Sequence, residues 1–199
     1  MPYSVNGFFE NGGRRAYVCR IIGSNATTAS KIFGDFTVVA IGPGIWGRSV
    51  WVRIQDASAV DSDGNVGFRL KLAYWSAVPK FQVFDPFDDE QRLPRPQCME
   101  DHDNLSVDPV SSNYFAKRLT EETTNGPLSA LAALRRTSGM DTKPPNTGVN
   151  GELLDQKAID DPNPLSADDY LGDAIGRRHE LQGLRALELR QYRDVALVY

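Results

Sequence analysis

The amino-acid sequence predicts a mixed α/β (α+β) fold: a helix–strand core, an antiparallel β-hairpin subdomain and a C-terminal helix–strand unit. Three observations carry this. Apolar Val5, Phe8 and Phe9 recur at helical spacing over residues 3–11 and stop at Gly12-Gly13. Residues 50–55 and 68–74 both alternate apolar and polar side chains, with the turn-forming Asp61-Ser62-Asp63-Gly64-Asn65 between them. Near the end of the chain Leu181, Leu184, Leu187 and Leu189 fall on or near one face of a helix over 174–191.

Taken in order, the first helix leads into a strand over 16–22, and a strand-like run over 37–41 precedes the glycine-rich turn at Gly42, Gly44 and Gly47. The hairpin over 50–74 follows. Residues 85–175 are turn-rich and hold nine of the twelve prolines. Two helices are expected inside that zone. One covers 111–122 with Ser111 as its N-cap, and the other covers the Ala- and Leu-rich 128–136. Residues 139–163 read as a long exposed loop. The helix over 174–191 ends in a strand over 194–199. These shifts divide the chain at 1–35 (helix–strand start of the core), 36–84 (antiparallel subdomain), 85–173 (acidic, Pro-rich segment) and 174–199 (return to the core).

A length of 199 residues suffices for one substantial core, or one core and a smaller lobe. Hydrophobic content of 41% with 24% charged residues describes an ordinary globular protein. No apolar run reaches the roughly 18–20 residues that span a bilayer, and the N-terminus lacks a secretory signal pattern. Cys19 and Cys98 stand far apart without a Cys/His motif, which suits a reduced, cytosolic setting. Charge is segregated. Residues 1–80 hold nine Lys/Arg against five Asp/Glu, residues 81–173 hold eight against eighteen, and residues 174–199 hold five against three. The acidic middle reads first as a solvated loop; the sharper reading is that segregated signs favour head-to-tail contacts between copies. No dense Lys/Arg cluster with interleaved aromatics points to nucleic acid.

The spacing G-x-G-x-x-G at Gly42, Gly44 and Gly47 matches a dinucleotide-binding fingerprint, which would make the protein a nucleotide-dependent enzyme. That fingerprint needs a helix opening at the third glycine to meet the pyrophosphate. Here a strand follows within a few residues, Pro43 lacks an N–H and Trp46 is bulky. The expectation is a tight strand–turn–strand connection with Trp46 largely buried as an anchor and Val50 opening the next strand. Other chemistry is thinner. Asp61 to Asn65 starts like a calcium loop without a closing glutamate, and His179-Glu180 lacks the second histidine of a zincin. With only His102 and His179 in the chain, nothing local supports a Ser/His or Cys/His dyad. The runs Asp88-Asp89-Glu90 and Glu100-Asp101-His102-Asp103 read as solvated surface. No catalytic residue, cofactor or metal site is expected.

Longer motifs carry a resemblance. Gly7-Phe8-Phe9-Glu10-Asn11-Gly12-Gly13 through Tyr17-Val18-Cys19-Arg20-Ile21 resembles the F-F-x-N-G-G-x-x-x-Y-V-x-R-V segment of the contractile tail sheath family. Those are the sheath subunits of myophage tails and related injection systems. Pro43-Gly44-Ile45-Trp46-Gly47-Arg48 resembles the family's P-G-x-W-G-N turn, with Arg48 where asparagine is usual. Residues 100–114 resemble its E-x-Y-x-N-L-S-x-D-P segment, with His102 at the aromatic position. Asp169-Tyr170-Leu171-Gly172, Gly183-Leu184-Arg185-Ala186-Leu187 and Asp194-Val195-Ala196-Leu197-Val198 resemble the Y-x-G, G-L-x-A-L and D-V-x-L-V elements.

The resemblance implies a non-enzymatic structural subunit whose motif residues Phe8, Phe9, Asn11, Gly12, Gly13, Tyr17, Pro43, Gly44, Trp46 and Gly47 serve fold and assembly. Its partners would be other copies of the subunit and an inner tail tube protein, with no nucleic acid and no stable membrane insertion. It would sit in a virion tail or injection-system sheath assembled in the bacterial cytoplasm. The family's N- and C-terminal arms have no counterpart in these residues. The chain therefore reads as the middle portion of a sheath subunit, expected to self-associate through an edge near one terminus without forming long regular sheaths. A non-catalytic adaptor binding through its long loop is a further alternative.

Overall fold

The computed structural model describes residues 2–14, 21–23, 25–60, 66–120, 128–137, 142–155, 157–160, 163–172 and 184–185. Three short α-helices and seven strands lie along them, an α+β composition in which both sheets are antiparallel. The chain divides into two compact units, one formed by Met1–Ser24 with Asn163–Tyr199 and the other by Asn25–Pro162.

In the first unit α1 (Pro2–Glu10) forms as the apolar spacing predicts, with Pro2 at its first position, where a missing N–H is harmless. Gly12 ends it at φ 89°, and the Gly13 N–H donates to Phe8 O at 2.9 Å. A side chain at Gly13 would collide with the Phe8 ring. Asn11 adds a side-chain bond to Gly7 O at 2.7 Å. Gly12→Val forces a β-branched residue into left-handed backbone. It should lower stability by more than about 1 kcal/mol, read as a fall in the thermal midpoint. Tyr17 and nearly all of the strand expected over 16–22 lie outside the described residues; Ile21 and Ile22 are not in a strand. The C-terminal helix and strand also lie outside them, apart from Leu184 and Arg185. Before them a short α3 (Ala167–Leu171) carries a reciprocal capping box between Ser166 and Asp169.

The second unit holds both sheets. β1 (Ser30–Phe33), β2 (Phe36–Ala40) and β6 (Ala132–Arg136) form one, in the order β1-β2-β6. β3 (Val50–Val60), β4 (Val66–Tyr74), β5 (Cys98–Leu105) and β7 (Glu152–Leu153) form the other, in the order β5-β4-β3-β7. The β3–β4 hairpin is the one expected, with Val50 opposite Tyr74 and Ile54 opposite Leu70, although its turn at 61–65 is not described.

Period-two alternation sends β3 and β4 to two different cores. Val50, Val52, Ile54, Phe68, Leu70 and Leu72 join Phe36, Val38, Ala132 and Leu134 of the other sheet in the main core. Phe36, Phe68 and Phe115 meet there with ring centroids 5.3–6.5 Å apart. Trp51, Ala73 and Trp75 face the opposite way, into a second core completed by Phe81, Phe84 and Phe87.

Several sequence expectations need correction. Residues 132–136, within the helix expected over 128–136, are strand β6, which pairs with β2 from Ala40↔Ala132 to Phe36↔Arg136. The helical preference of Ala and Leu is worth only tenths of a kcal/mol per residue. Burying Ala132, Ala133 and Leu134 in a paired strand outweighs it. The helix expected over 111–122 is only α2 (Ala116–Leu119) within the described residues, and the Ser111 hydroxyl accepts from Asn113 N in a turn rather than capping a helix. The loop expected over 139–163 is partly pinned to β3. Thr147 exchanges bonds with Ile54, β7 pairs with β3, and Leu154 and Ala158 are buried. The division drawn at 84/85 runs through one sheet, since β5 pairs with β4.

Candidate functional site

The glycine turn is the site to which the sequence points most directly. Gly44 takes φ 110°, a conformation that excludes ordinary side chains, and residues Ile45–Ser49 then make a single 3-10 turn. Val50 follows as the first residue of β3, so no α-helix opens at Gly47. Gly47 is required for packing: a Cβ there would lie 2.7 Å from Ala29 Cβ and 3.1 Å from Ala40 Cβ. Gly42 has open space around it. Trp46 is only half-buried, against the expectation of near-complete burial. It packs edge-on against Tyr74 at 6.0 Å on the rim of the main core, and its indole N–H donates to Pro43 O at 3.0 Å. The polar end of an indole needs a partner, and the turn's own carbonyl supplies one at the surface.

Two successive backbone donors of the turn are already used within the fold. Gly44 N–H donates to Thr27 O at 2.9 Å, and Ile45 N–H donates to Asp160 Oδ1 at 3.0 Å. A pyrophosphate cradle would need such N–H groups turned outward. Nicotinamide and flavin nucleotides should therefore leave the melting temperature unchanged in differential scanning fluorimetry; a saturable rise at micromolar nucleotide would contradict this geometry.

The segment over residues 104–109 is a second compact joint. Asn104 sits at φ 56°, a conformation Asn tolerates better than most residues, and its Oδ1 accepts from Ala59 N at 3.2 Å. Asp103 Oδ1 accepts from Ser58 N at 3.1 Å. Both bonds reach β3 past Gly67 of β4, where any side chain would strike Leu105 O. Leu105 is fully buried, Ser106 Oγ accepts from Asp108 N and Asp108 Oδ1 accepts from Val110 N. An open cleft of about 740 Å³ beside this joint is lined in part by Asn104, Ser106, Asp108 and Lys143 and has no histidine or cysteine among the described residues of its wall.

The acidic runs are not simply solvated surface. Asp85, which the sequence reading did not single out, is buried together with Lys71 on the second face of the β3–β4 sheet. Lys71 Nζ lies 3.1 Å from Asp85 Oδ2 and 3.3 Å from Asp88 Oδ1, and Arg53 pairs with both carboxylates. The Lys71 ammonium also stands 5.1 Å from the Phe87 ring centre. The Arg53 hydrogen bond, opposed by partial burial and helped by Lys71, holds the Asp88 carboxyl below its usual 3.8. Two cations and two anions make a neutral set that ties the segment after β4 to the sheet. The signal available in sequence was Lys71 on the same side of β4 as Ala73, opposite Leu70 and Leu72, followed by the aromatic–acid series Phe84-Asp85-Pro86-Phe87-Asp88.

Along β5, Asp101 pairs with Arg69, while Glu100 accepts from Ala130 N at 2.8 Å and lies 3.0 Å from His102 Nε2. Burial opposes ionisation of Glu100, but hydrogen bonds from His102, Ser129 and Ala130 outweigh it and keep the carboxyl below its usual 4.5. His102 thus has a structural neighbour and no nucleophile among its described contacts. His179, Cys19 and the Asp61–Asn65 stretch lie outside the described residues. Among the described residues there is no group of three or more His, Cys, Asp or Glu side chains suited to a metal ion, and no helix long and apolar enough to cross a membrane.

The described residues form an α+β protein in which the glycine turn and the joint after β5 tie strands together. No family model and no characterised relative in sequence matches the chain.

Proposed function

We propose that this protein is a non-enzymatic structural subunit of the contractile tail sheath type, or a portion of one. It would pack with copies of itself around an inner tube and rearrange to drive that tube through a target envelope. The observation that carries the reading is the series of family-like motifs in order, from Phe8-Phe9 through Pro43-Gly44-Ile45-Trp46-Gly47 and Asn104-Leu105-Ser106 to Asp194-Val195. Three of the motifs fall wholly within the described residues, and two of them use polar groups to join strands and segments of the larger unit: the turn bonds to Thr27 and Asp160, and Asp103 and Asn104 bond to Ser58 and Ala59. Such use suits a part that transmits force between subunits better than one that turns over a ligand. The energy of contraction would come from differences in packing between two assembled states. Among the described residues the end strands are β1 and β6 of one sheet and β5 and β7 of the other, and sheet edges are places at which chains associate.

The test is sedimentation velocity over a wide concentration range, followed by negative-stain electron microscopy of the same samples. Concentration-dependent association into rings, arcs or tubules is expected. A chain that stays monomeric at every concentration would overturn the assembly reading, and saturable nucleotide binding would direct attention to enzymatic chemistry.

A further inference from the structure

The larger unit begins at Asn25 and ends at Pro162, so the chain crosses between the units at two places. Just inside those crossings the two segments are tied to each other. Thr27 N–H donates to Ile159 O at 3.0 Å, and Ile159 N–H donates to the Thr27 hydroxyl at 2.9 Å. Three residues further in, Asp155 N–H donates to Ser30 O at 3.0 Å, so the incoming and outgoing segments run side by side. The glycine turn grips both of them. Gly44 N–H donates to the incoming segment at Thr27 O, and Ile45 N–H donates to the outgoing segment at Asp160 Oδ1.

We propose that the Pro43–Gly47 turn is a latch within the larger unit, which clasps that unit's first and last segments together. The geometry explains each part of the turn. Gly44 at φ 110° aims two successive N–H groups at two different segments. Pro43 offers its carbonyl to the Trp46 indole, and Gly47 lets the turn sit on Ala29, two residues after Thr27. The four bonds share partners, since Thr27 takes part in three of them and Asp160 directly follows Ile159. Breaking one loosens the others, which makes the latch a two-position element. Thr27, Ile45, Ile159 and Asp160 are exposed, so it can open while the buried core beneath stays packed. Closed, it holds residues 27–30 and 155–160 against each other; open, it frees them to move separately. This inference rests on the hydrogen-bond geometry and stands independently of the sheath reading.

Amide hydrogen exchange on the full chain tests it, comparing the parent protein with Thr27→Val, Thr27→Ser and Asp160→Ala. Thr27→Val deletes only the acceptor of the Ile159 N–H. It should nevertheless accelerate exchange about tenfold at Gly44 and Ile45 as well as at Ile159, with the β3 and β4 amides unchanged. Thr27→Ser keeps the hydroxyl and should restore protection at all three. Acceleration confined to Ile159 would mean that the bonds act independently, and the latch would be refuted. Should Thr27→Val also speed exchange in β3 and β4, Asp160→Ala decides, because it removes an exposed carboxylate and no buried group. Faster exchange at Gly44 and Ile159 then sustains the latch, and an effect limited to Ile45 overturns it.

Discussion

Replacing Trp51 with alanine lowers the stability of the larger unit by about 3–5 kcal/mol, the range for deleting a buried indole from a packed site. Trp51 is fully buried on the second face of β3, where its ring stacks on Phe87 at 6.4 Å. Its indole N–H donates to Asn150 O at 2.7 Å, which ties the segment leading into β7 to the sheet. Alanine would leave a cavity beneath Phe87 and an unpaired carbonyl at Asn150. Trp51→Phe keeps most of the volume and loses only the hydrogen bond, so it should cost less. Urea titration followed by circular dichroism measures both. The same titration on Trp46→Ala should give the smaller loss, because Trp46 is only half-buried. If Trp46→Ala proved the more damaging, the second core would not be the anchor described.

The second large effect is expected at the charge set on that same face. Asp85→Ala leaves Lys71 buried with one carboxylate fewer, and removing one member of a buried pair costs about 3–5 kcal/mol. A value near 3 is expected, because Asp88 still reaches both cations. Lys71→Met should cost less. Methionine follows the path of the lysine stem, and Asp85 keeps Arg53 and the Phe87 N–H at 2.8 Å. Equilibrium denaturation that ranked the two the other way would mean that the lysine anchors the set. The pH dependence has a definite sign. A carboxyl held below its ordinary value in the folded state stabilises fully above that value. This stabilisation is lost as pH falls through the folded one. For Asp88 the loss sets in below 3.8, and for Glu100 below 4.5. Stability should therefore be insensitive to these groups at neutral pH and fall as the solution is acidified past those values. Because the Asp88 side chain is largely exposed, its share of that fall is small.

The sequence alone determined the features that follow from local periodicity and backbone chemistry. Helix α1 and its stop were legible because apolar spacing and a glycine at positive φ are both local properties. The β3–β4 hairpin was legible because strict alternation admits only an extended chain with two unlike faces. The brevity of the glycine turn followed from the strand that closes it.

What only the tertiary structure decided depends on partners distant along the chain. Residues 132–136 look helical alone and become β6 because β2 offers an edge and a core to fill. β5 carries Glu100, Asp101 and Asp103, which read as surface until the Ala130 N–H, Arg69 and the Ser58 N–H are placed beside them. Asp85 and Lys71 are fourteen residues apart, and no spacing rule announces that a strand and the segment after it will bury them together. The glycine turn shows both sides of the division. Its conformation is written in Pro43, Gly44 and Gly47, but its grip on Thr27 and Asp160 joins segments more than a hundred residues apart in sequence. Local propensity is worth tenths of a kcal/mol per residue, whereas burial and pairing are worth several. Where the two disagree, the distant contact decides.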